Sequence, residues 1–382
     1  MSANDNVKWV RLGDYIELCD ERNRNGKYAV DDVRGISTDK KFIPTKANMD
    51  GVSLSSYKIV NNSEFAYVAD TSRRGDKIAL ALNTTTSSIL ISSIYTTFKS
   101  KDNKELLPEY LFLLLSRSEF DRYARFNSWG SARETFDWSE LCRVEISLPD
   151  INIQKELVDI YNGLKALAEQ NEALIEPLSK ACEAFIVDCK AKYPEVELSN
   201  GQDDYIEICD ERNSENKYTL DNVRGISTDK KFIFTKANMD GVSLTSYKIV
   251  NNNNFAYVAD TSRRGDKIAL ALNVTNKPIL TSSIYTTFRC KDRSKLIPEY
   301  LYLLLSRNEF DRYARFNSWG SARETFDWNE LCRVKIPLPP LEVQQSIVDL
   351  YKCLEEAKKI ASEAREKLKT LCPALVQKAA NL

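Results

Sequence analysis

The chain has 382 residues, 43% of them hydrophobic and 29% charged, with a formal net charge of −1 and a pI near 6.0. That is room for two or three domains of the soluble globular kind, and it excludes a protein that coats nucleic acid indiscriminately. No apolar run approaches the roughly 18 residues of a membrane span, and the lack of histidine removes the commonest general base and with it most triad hydrolases.

The start, MSANDNVKW, has neither a basic region nor an apolar stretch, so a signal peptide is not expected and a cytoplasmic protein is. Residues 14–146 then recur at 204–336 with a constant offset of 190, no gap and 26 differences in 133 pairs. Within the first copy, short β-rich runs are predicted at Ser56–Val60, Phe65–Val68, Lys77–Leu82, Ile89–Phe98 and Cys142–Leu148. Turn signals such as Asp50-Gly51 and Asn61-Asn62 separate them. One helix, Pro108–Phe126, is predicted between the fourth and fifth runs.

After Leu148-Pro149 the hydrophobic period changes. Ile153, Leu157, Ile160, Leu164, Leu167, Asn171, Leu174, Leu178, Ala181 and Phe185 alternate steps of four and three. Val343, Ile347, Leu350, Leu354, Ala357, Ala361, Ala364, Leu368, Leu371 and Leu375 do the same after the second copy. Such spacing is that of a coiled-coil seam. Asn171 either sets register or meets a partner there, or is a solvated amide at the helix edge. Pro177 is expected to kink the first helix and Pro373 the end of the second. Tyr193–Asp203 reads as a linker. The predicted fold is therefore α+β. Two similar mixed domains, 1–150 and 193–340 with its linker, are joined by long helices 151–192 and 341–382 that form an antiparallel coiled coil with pseudo-two-fold symmetry.

Machinery for catalysis is sparse. There is no GxxxxGK[ST] loop, GxGxxG, GxSxG or HExxH. The nine cysteines include no CxxC and are largely repeat mates, as Cys19 is of Cys209, so reduced core thiols are expected and a metal site is not. The doublet Asp20-Glu21 reads as a loop or cap more readily than as a nuclease centre.

Basic, aromatic and small-polar loops carry more. Ser72, Arg73, Arg74 and Lys77 offer a hydroxyl and cations suited to phosphates and guanine edges, or else a tight hairpin in which Arg74 pairs with Asp76. Arg125, Asn127, Ser128, Trp129, Ser131 and Arg133 gather arginine, amide and indole around a glycine, a composition that favours DNA contact, although Trp129 and Trp138 could be core anchors. Lys40, Lys41 and Lys46, with Asn48, form a weaker third group. Copy two repeats all three as Lys230, Lys231 and Lys236, as Ser262, Arg263, Arg264 and Lys267, and as Arg315, Asn317, Ser318, Trp319, Ser321 and Arg323. The loops where the copies differ, Arg24–Gly26, Thr84–Ser88 and Asn103–Glu105, are expected to face away from the shared ligand. One surface presented twice suits duplex DNA with an inverted repeat.

The order domain, helix, domain, helix resembles the specificity subunit of type I restriction-modification enzymes. The resemblance runs end to end through VKWVRLGDY, SYKIVNNSEFAYVADTSRRGDKIAL, LLPEYLFLLLSR, and ISLPDINIQKELVDIY or IPLPPLEVQQSIVDLY. It implies a DNA-reading chain without catalysis of its own. The mixed domains would be target-recognition domains, and the helices a spacer that docks two methyltransferase subunits, with restriction subunits beyond them. It also implies that S-adenosylmethionine, ATP and magnesium belong to those partners, so that this chain holds no cofactor. Recognition domains in that family are ordinarily dissimilar. Here the repeated loops predict an interrupted palindrome with half-sites about one helical turn apart. The alternative is an orphan or decoy DNA-binding module without a methyltransferase.

Overall fold

A computed structural model describes residues 8–71, 77–131, 133–261, 267–321 and 323–380, with side chains as far as 370. The chain divides into two compact units, one made of residues 1–171 with 360–382 and the other of 172–359.

In the first unit the strands are β1 (Lys8–Arg11), β2 (Ile16–Cys19), β3 (Arg34–Ile36), β4 (Phe42–Pro44), β5 (Lys58–Val60), β6 (Phe65–Tyr67), β7 (Leu80–Leu82), β8 (Ile89–Ile91), β9 (Thr96–Ser100) and β10 (Glu145–Leu148). Helices α1 (Pro108–Leu115), α2 (Ser118–Phe126) and α3 (Trp138–Arg143) lie between β9 and β10, and α4 (Ile151–Lys192) follows. A four-stranded antiparallel sheet in the order β2-β9-β6-β7 is flanked by the pairs β1·β10, β3·β4 and β5·β8.

Strand alternation explains why the middle of this sheet is apolar on every residue. Phe65, Tyr67, Leu80 and Leu82 join Tyr110, Leu111 and Leu114 of α1 in the main core. Ala66, Ala79 and Ala81 point the other way, into a smaller core with Ile36, Val60, Ile89 and Ile91. Phe65 and Phe98 stack at 4.7 Å across neighbouring strands, and Trp138 packs on Phe98 at 5.7 Å, which makes it a core anchor.

The second unit repeats the plan. Its strands are β11 (Glu195–Glu197), β12 (Ile206–Ile208), β13 (Arg224–Ile226), β14 (Phe232–Phe234), β15 (Lys248–Val250), β16 (Asn254–Tyr257), β17 (Leu270–Leu272), β18 (Ile279–Thr281), β19 (Thr286–Cys290) and β20 (Lys335–Pro337). Its helices are α5 (Pro298–Leu305), α6 (Asn308–Phe316), α7 (Trp328–Cys332) and α8 (Leu341–Ala380). The sheet order β12-β19-β16-β17 and the pair β11·β20 match the first unit.

Four expectations change. The single helix over 108–126 is two, because Arg117 is extended between them. The bend lets Asp121 reach the buried Lys40. The run Ile89–Phe98 is two strands that pair with different partners. The segment taken as a linker contains β11, the counterpart of β1, so the structural repeat begins before the part of the sequence that aligns without gaps.

The fourth concerns the helices. In α8 the buried positions are Gln344, Ile347, Val348, Leu354, Ala357, Ala361 and Ala364, of which Ile347, Leu354, Ala357, Ala361 and Ala364 belong to the expected seam. In α4 they are Gln154, Val158, Ala168, Cys182, Ile186 and Cys189, one residue on from the expected set, while Ile160, Leu167, Leu174 and Phe185 are 42 to 50% exposed. The second unit takes the C-terminal half of α4 and the N-terminal half of α8, and the first unit takes the other halves. In the second unit burial raises the pKa of the Cys182 thiol on α4, opposed by the charge of Lys358 on α8. Asn171 donates to Leu167 O at 2.8 Å within its own helix, the edge-amide reading. Helix α4 continues through Pro177, and α8 through Pro373.

Each long helix is locked to its domain by one glutamine. Gln154 is fully buried, accepts from Leu107 N at 2.9 Å and donates to Glu105 O and Pro149 O at 2.8 and 2.9 Å. Gln344 does the same with Ile297 N, Lys295 O and Pro339 O.

Candidate nucleic-acid interface

The loop after α2 is built from the inside outward. Asn127 closes the helix, its Nδ2 donating to Tyr123 O at 2.9 Å. Ser128 turns into the protein, where its Oγ donates to Ala124 O at 2.6 Å and accepts from Thr71 Oγ1 at 2.9 Å. Trp129 and Thr135 exchange both backbone hydrogen bonds, at 3.1 and 3.0 Å, and Thr71 N and Phe136 N tie the returning strand to the body. An ion pair between Arg125 and Glu134 spans the base of the loop.

Gly130 makes this closure possible. Its φ is +140°, and a Cβ there would lie 2.1 Å from Arg133 O. Glycine alone tolerates such a backbone. What the loop then offers outward is the indole of Trp129, 63% exposed, with Ser131 and Arg133. Copy two repeats each part: Asn317 caps on Tyr313 O, Ser318 is buried on Ala314 O, Gly320 has φ +141°, and Arg315 pairs with Glu324. Trp319, Ser321 and Arg323 are exposed.

Several expected contacts are reassigned. Lys40 and Lys230 are buried, and the first bonds to Asp121 Oδ1 at 2.5 Å and to Ile78 O at 2.9 Å. Lys230 meets Asp311 and Ile268 O in the same way. Burial pulls both ammonium groups below the usual lysine range, opposed by the hydrogen bond and charge of the aspartate. They are internal struts, as Ser128 and Ser318 are, and the chain passes each lysine in a left-handed conformation. Arg125 and Arg315 are half-buried and hold the loop through their glutamates. Asn48 uses its Oδ1 to accept from Asp50 N in a local turn.

The remaining lysines are on the surface: Lys41, Lys46 and Lys77, with Lys231, Lys236 and Lys267. Ser72, Arg73, Arg74, Ser262, Arg263 and Arg264 lie outside the described residues. In the first unit a cleft of about 990 Å³ brings Lys41 and Lys77 together with Arg34, Thr84, Ser87 and Lys165. The divergent Thr84–Ser88 loop therefore shares a surface with the candidate cations instead of facing away. Its counterparts Val274 and Lys277 are exposed in copy two.

Two features escaped the sequence reading. Phe126, the last residue of the predicted helix, is 80% exposed, as is Phe316. Helical periodicity carries that signal, since Phe126 falls about 240° from the buried Phe120 at ~100° per residue. Lys165 of α4 joins the cleft only through the tertiary fold.

The acidic doublet is structural. Asp20 pairs with Arg22 and Lys58, and its carboxyl is held below the usual range first by the Arg22 hydrogen bond. Glu21 accepts from Asn61 Nδ2 at 2.9 Å. Burial, with the charge of Glu64, pushes the Cys19 thiol to about 12, far from a thiolate near neutrality. Among the described residues no cluster of Cys, Asp and Glu is placed to hold a metal, and no helix is long and apolar enough to cross a membrane.

Residues 189–370 match the family model for the type I restriction modification DNA specificity domain. That match contains 204–336, and 14–146 repeats it without a gap, so both halves carry the same domain. Among solved structures, the type I restriction-modification system S subunit from M. genitalium aligns over 99% of this chain and 98% of its own, with a TM-score of 0.57 at 12% identity. The likeness is one of fold. The HsdS subunit from Thermoanaerobacter tengcongensis aligns over 99% of this chain and 97% of its own, at 18% identity and a TM-score of 0.40. No curated protein matches the sequence. A match to the type I restriction modification DNA specificity domain over residues 189–370, whose segment 204–336 is repeated without a gap at 14–146, gives the chain two copies of that domain, each followed by a long helix.

Proposed function

We propose that the chain is the sequence-reading subunit of a type I complex, each domain contacting one half of a bipartite DNA site. The observation that carries this reading is the loop from Asn127 to Arg133, which exposes the same groups on the same locked backbone at Asn317–Arg323. Exposed Arg133 and Arg323 suit guanine edges or phosphates, and Lys41, Lys46 and Lys77 with their counterparts suit phosphate contacts that set position. Identical loops favour a near-palindromic interrupted site.

In this reading the chain performs no catalysis and binds no cofactor. S-adenosylmethionine would be held by two methyltransferase subunits, and ATP and magnesium by the methyltransferase and restriction subunits. The exposed Ile160, Leu167, Leu174 and Phe185, at steps of seven and eleven along α4, supply an apolar stripe on which such partners can dock. A protein with these partners works where the chromosome is, in the cytoplasm. The test is methylome sequencing of cells that express the chain with the methyltransferase encoded beside it. An interrupted palindrome is expected, and an asymmetric bipartite motif would overturn the symmetric reading.

A further inference from the structure

We infer that Phe126 with Trp129, and Phe316 with Trp319, are aromatic wedges that stack against or between DNA bases, so that each domain reads deformability as well as base edges. This rests on the DNA-reading function proposed above.

Four observations carry the inference. Phe126 and Phe316 are each 80% exposed and Trp129 and Trp319 each 63%, among the most exposed large apolar side chains of their domains. Their exposure does not come from a loose segment. Phe126 ends a helix whose other aromatics, Phe120 and Tyr123, pack edge-on against Phe136 at 5.9 and 6.2 Å, and Trp129 sits in a closed backbone bridge to Thr135. The backbone that carries both rings is thus already ordered, which lowers the entropy cost of a stacking contact.

The chemistry around them then selects the occupant. Arg122, its side chain 71% exposed, precedes Phe126 by four residues and the exposed Arg133 follows Trp129 by four, while Glu134 is paired with Arg125 and Glu119 with Arg117 and Arg122. Aromatic faces interleaved with cations, their local acids neutralised, complement a stacked polyanion better than an apolar protein surface. Residues 119–138 are also identical in the two copies, although 26 of the 133 paired positions differ. Apolar side chains inserted at a base step unstack it and bend the duplex, which makes flexible steps the favoured targets.

The experiment uses the full chain with its methyltransferase and a 40-base-pair duplex that bears the methylated motif, with 2-aminopurine placed in turn through each half-site. The intact protein should raise 2-aminopurine fluorescence at one step in each half. Phe126→Ala with Phe316→Ala should abolish that rise and weaken binding about tenfold or more, without changing the slope of log K against log salt, because no phosphate contact is lost. Trp129→Ala with Trp319→Ala should act in the same direction. A full fluorescence rise with affinity within twofold of the parent overturns the wedge, as does loss of methyltransferase co-purification, which would make the patch a protein-docking site. If the intact complex binds no duplex, the DNA-reading function itself fails, and that outcome is distinct from the other two.

Discussion

Lys40 shows how a residue that looks like surface chemistry becomes framework. Its ammonium, the Asp121 carboxylate and the Ile78 peptide form a closed set, with Asp121 Oδ1 accepting from both Lys40 Nζ and Ile78 N. Removing one partner strands the other in a dry site, so Lys40→Met is expected to cost about 3–5 kcal/mol, whereas Lys40→Met with Asp121→Leu recovers much of that loss. Urea denaturation of both variants checks this, and a single variant as stable as the parent would contradict it. Gly130 makes the complementary case on the outside. Gly130→Ala should cripple DNA binding while leaving the main melting transition in place, because the collision with Arg133 O distorts only the loop. A thermal melt beside a binding isotherm separates the two effects.

Secondary elements were legible in the sequence to the extent that their own residues decide them. The central strands, the proline-led α1 and the two long helices follow from apolar runs, Pro108 and a sustained heptad. What could not be read was set by distant partners. Splitting of the helix at Arg117 goes with a bond from Lys40 to Asp121, 81 residues away in sequence. Gln154 turns inward to the backbone of Glu105, Leu107 and Pro149, partners that no periodicity within α4 announces. In the candidate interface, residue types and spacing identified the loop but not which groups face out, because Ser128 and Lys40 have the chemistry of ligand contacts and the burial of core. Gln154→Leu is expected to destabilise the first unit by about 1–3 kcal/mol through the orphaned Leu107 N–H and its neighbouring carbonyls. Asp137, the N-cap of α3, accepts from Ser139 Oγ and Glu140 N, and these bonds hold its carboxyl below the usual range. A depressed carboxyl stabilises above its unfolded pKa and loses that contribution as pH falls through the folded one. The cost of Asp137→Ala, about 0.5–2 kcal/mol near neutrality, should therefore shrink under acid, as denaturation at pH 7 and pH 3 would reveal.

At the scale of the whole molecule, duplication makes a stronger demand than either half alone. If both domains read the same half-site, Arg133→Ala and Arg323→Ala should each weaken binding by about 1–3 kcal/mol, equally and nearly additively, since loops in separate domains share no partners. Unequal losses would mean that the halves read different bases despite identical loops. The divergent segment supplies a reason to look for a smaller asymmetry of another kind, because Ser87 lines the cleft that holds Lys41 and Lys77, and its counterpart is the exposed Lys277. A lysine in place of a serine adds a positive charge, which at a phosphate sets position without reading sequence. Replacing Ser87 with Lys should then make the slope of log K against log salt steeper by about 0.9 while leaving the methylated motif unchanged. A changed motif would assign the Thr84–Ser88 loop to sequence recognition and break the equivalence of the two halves there.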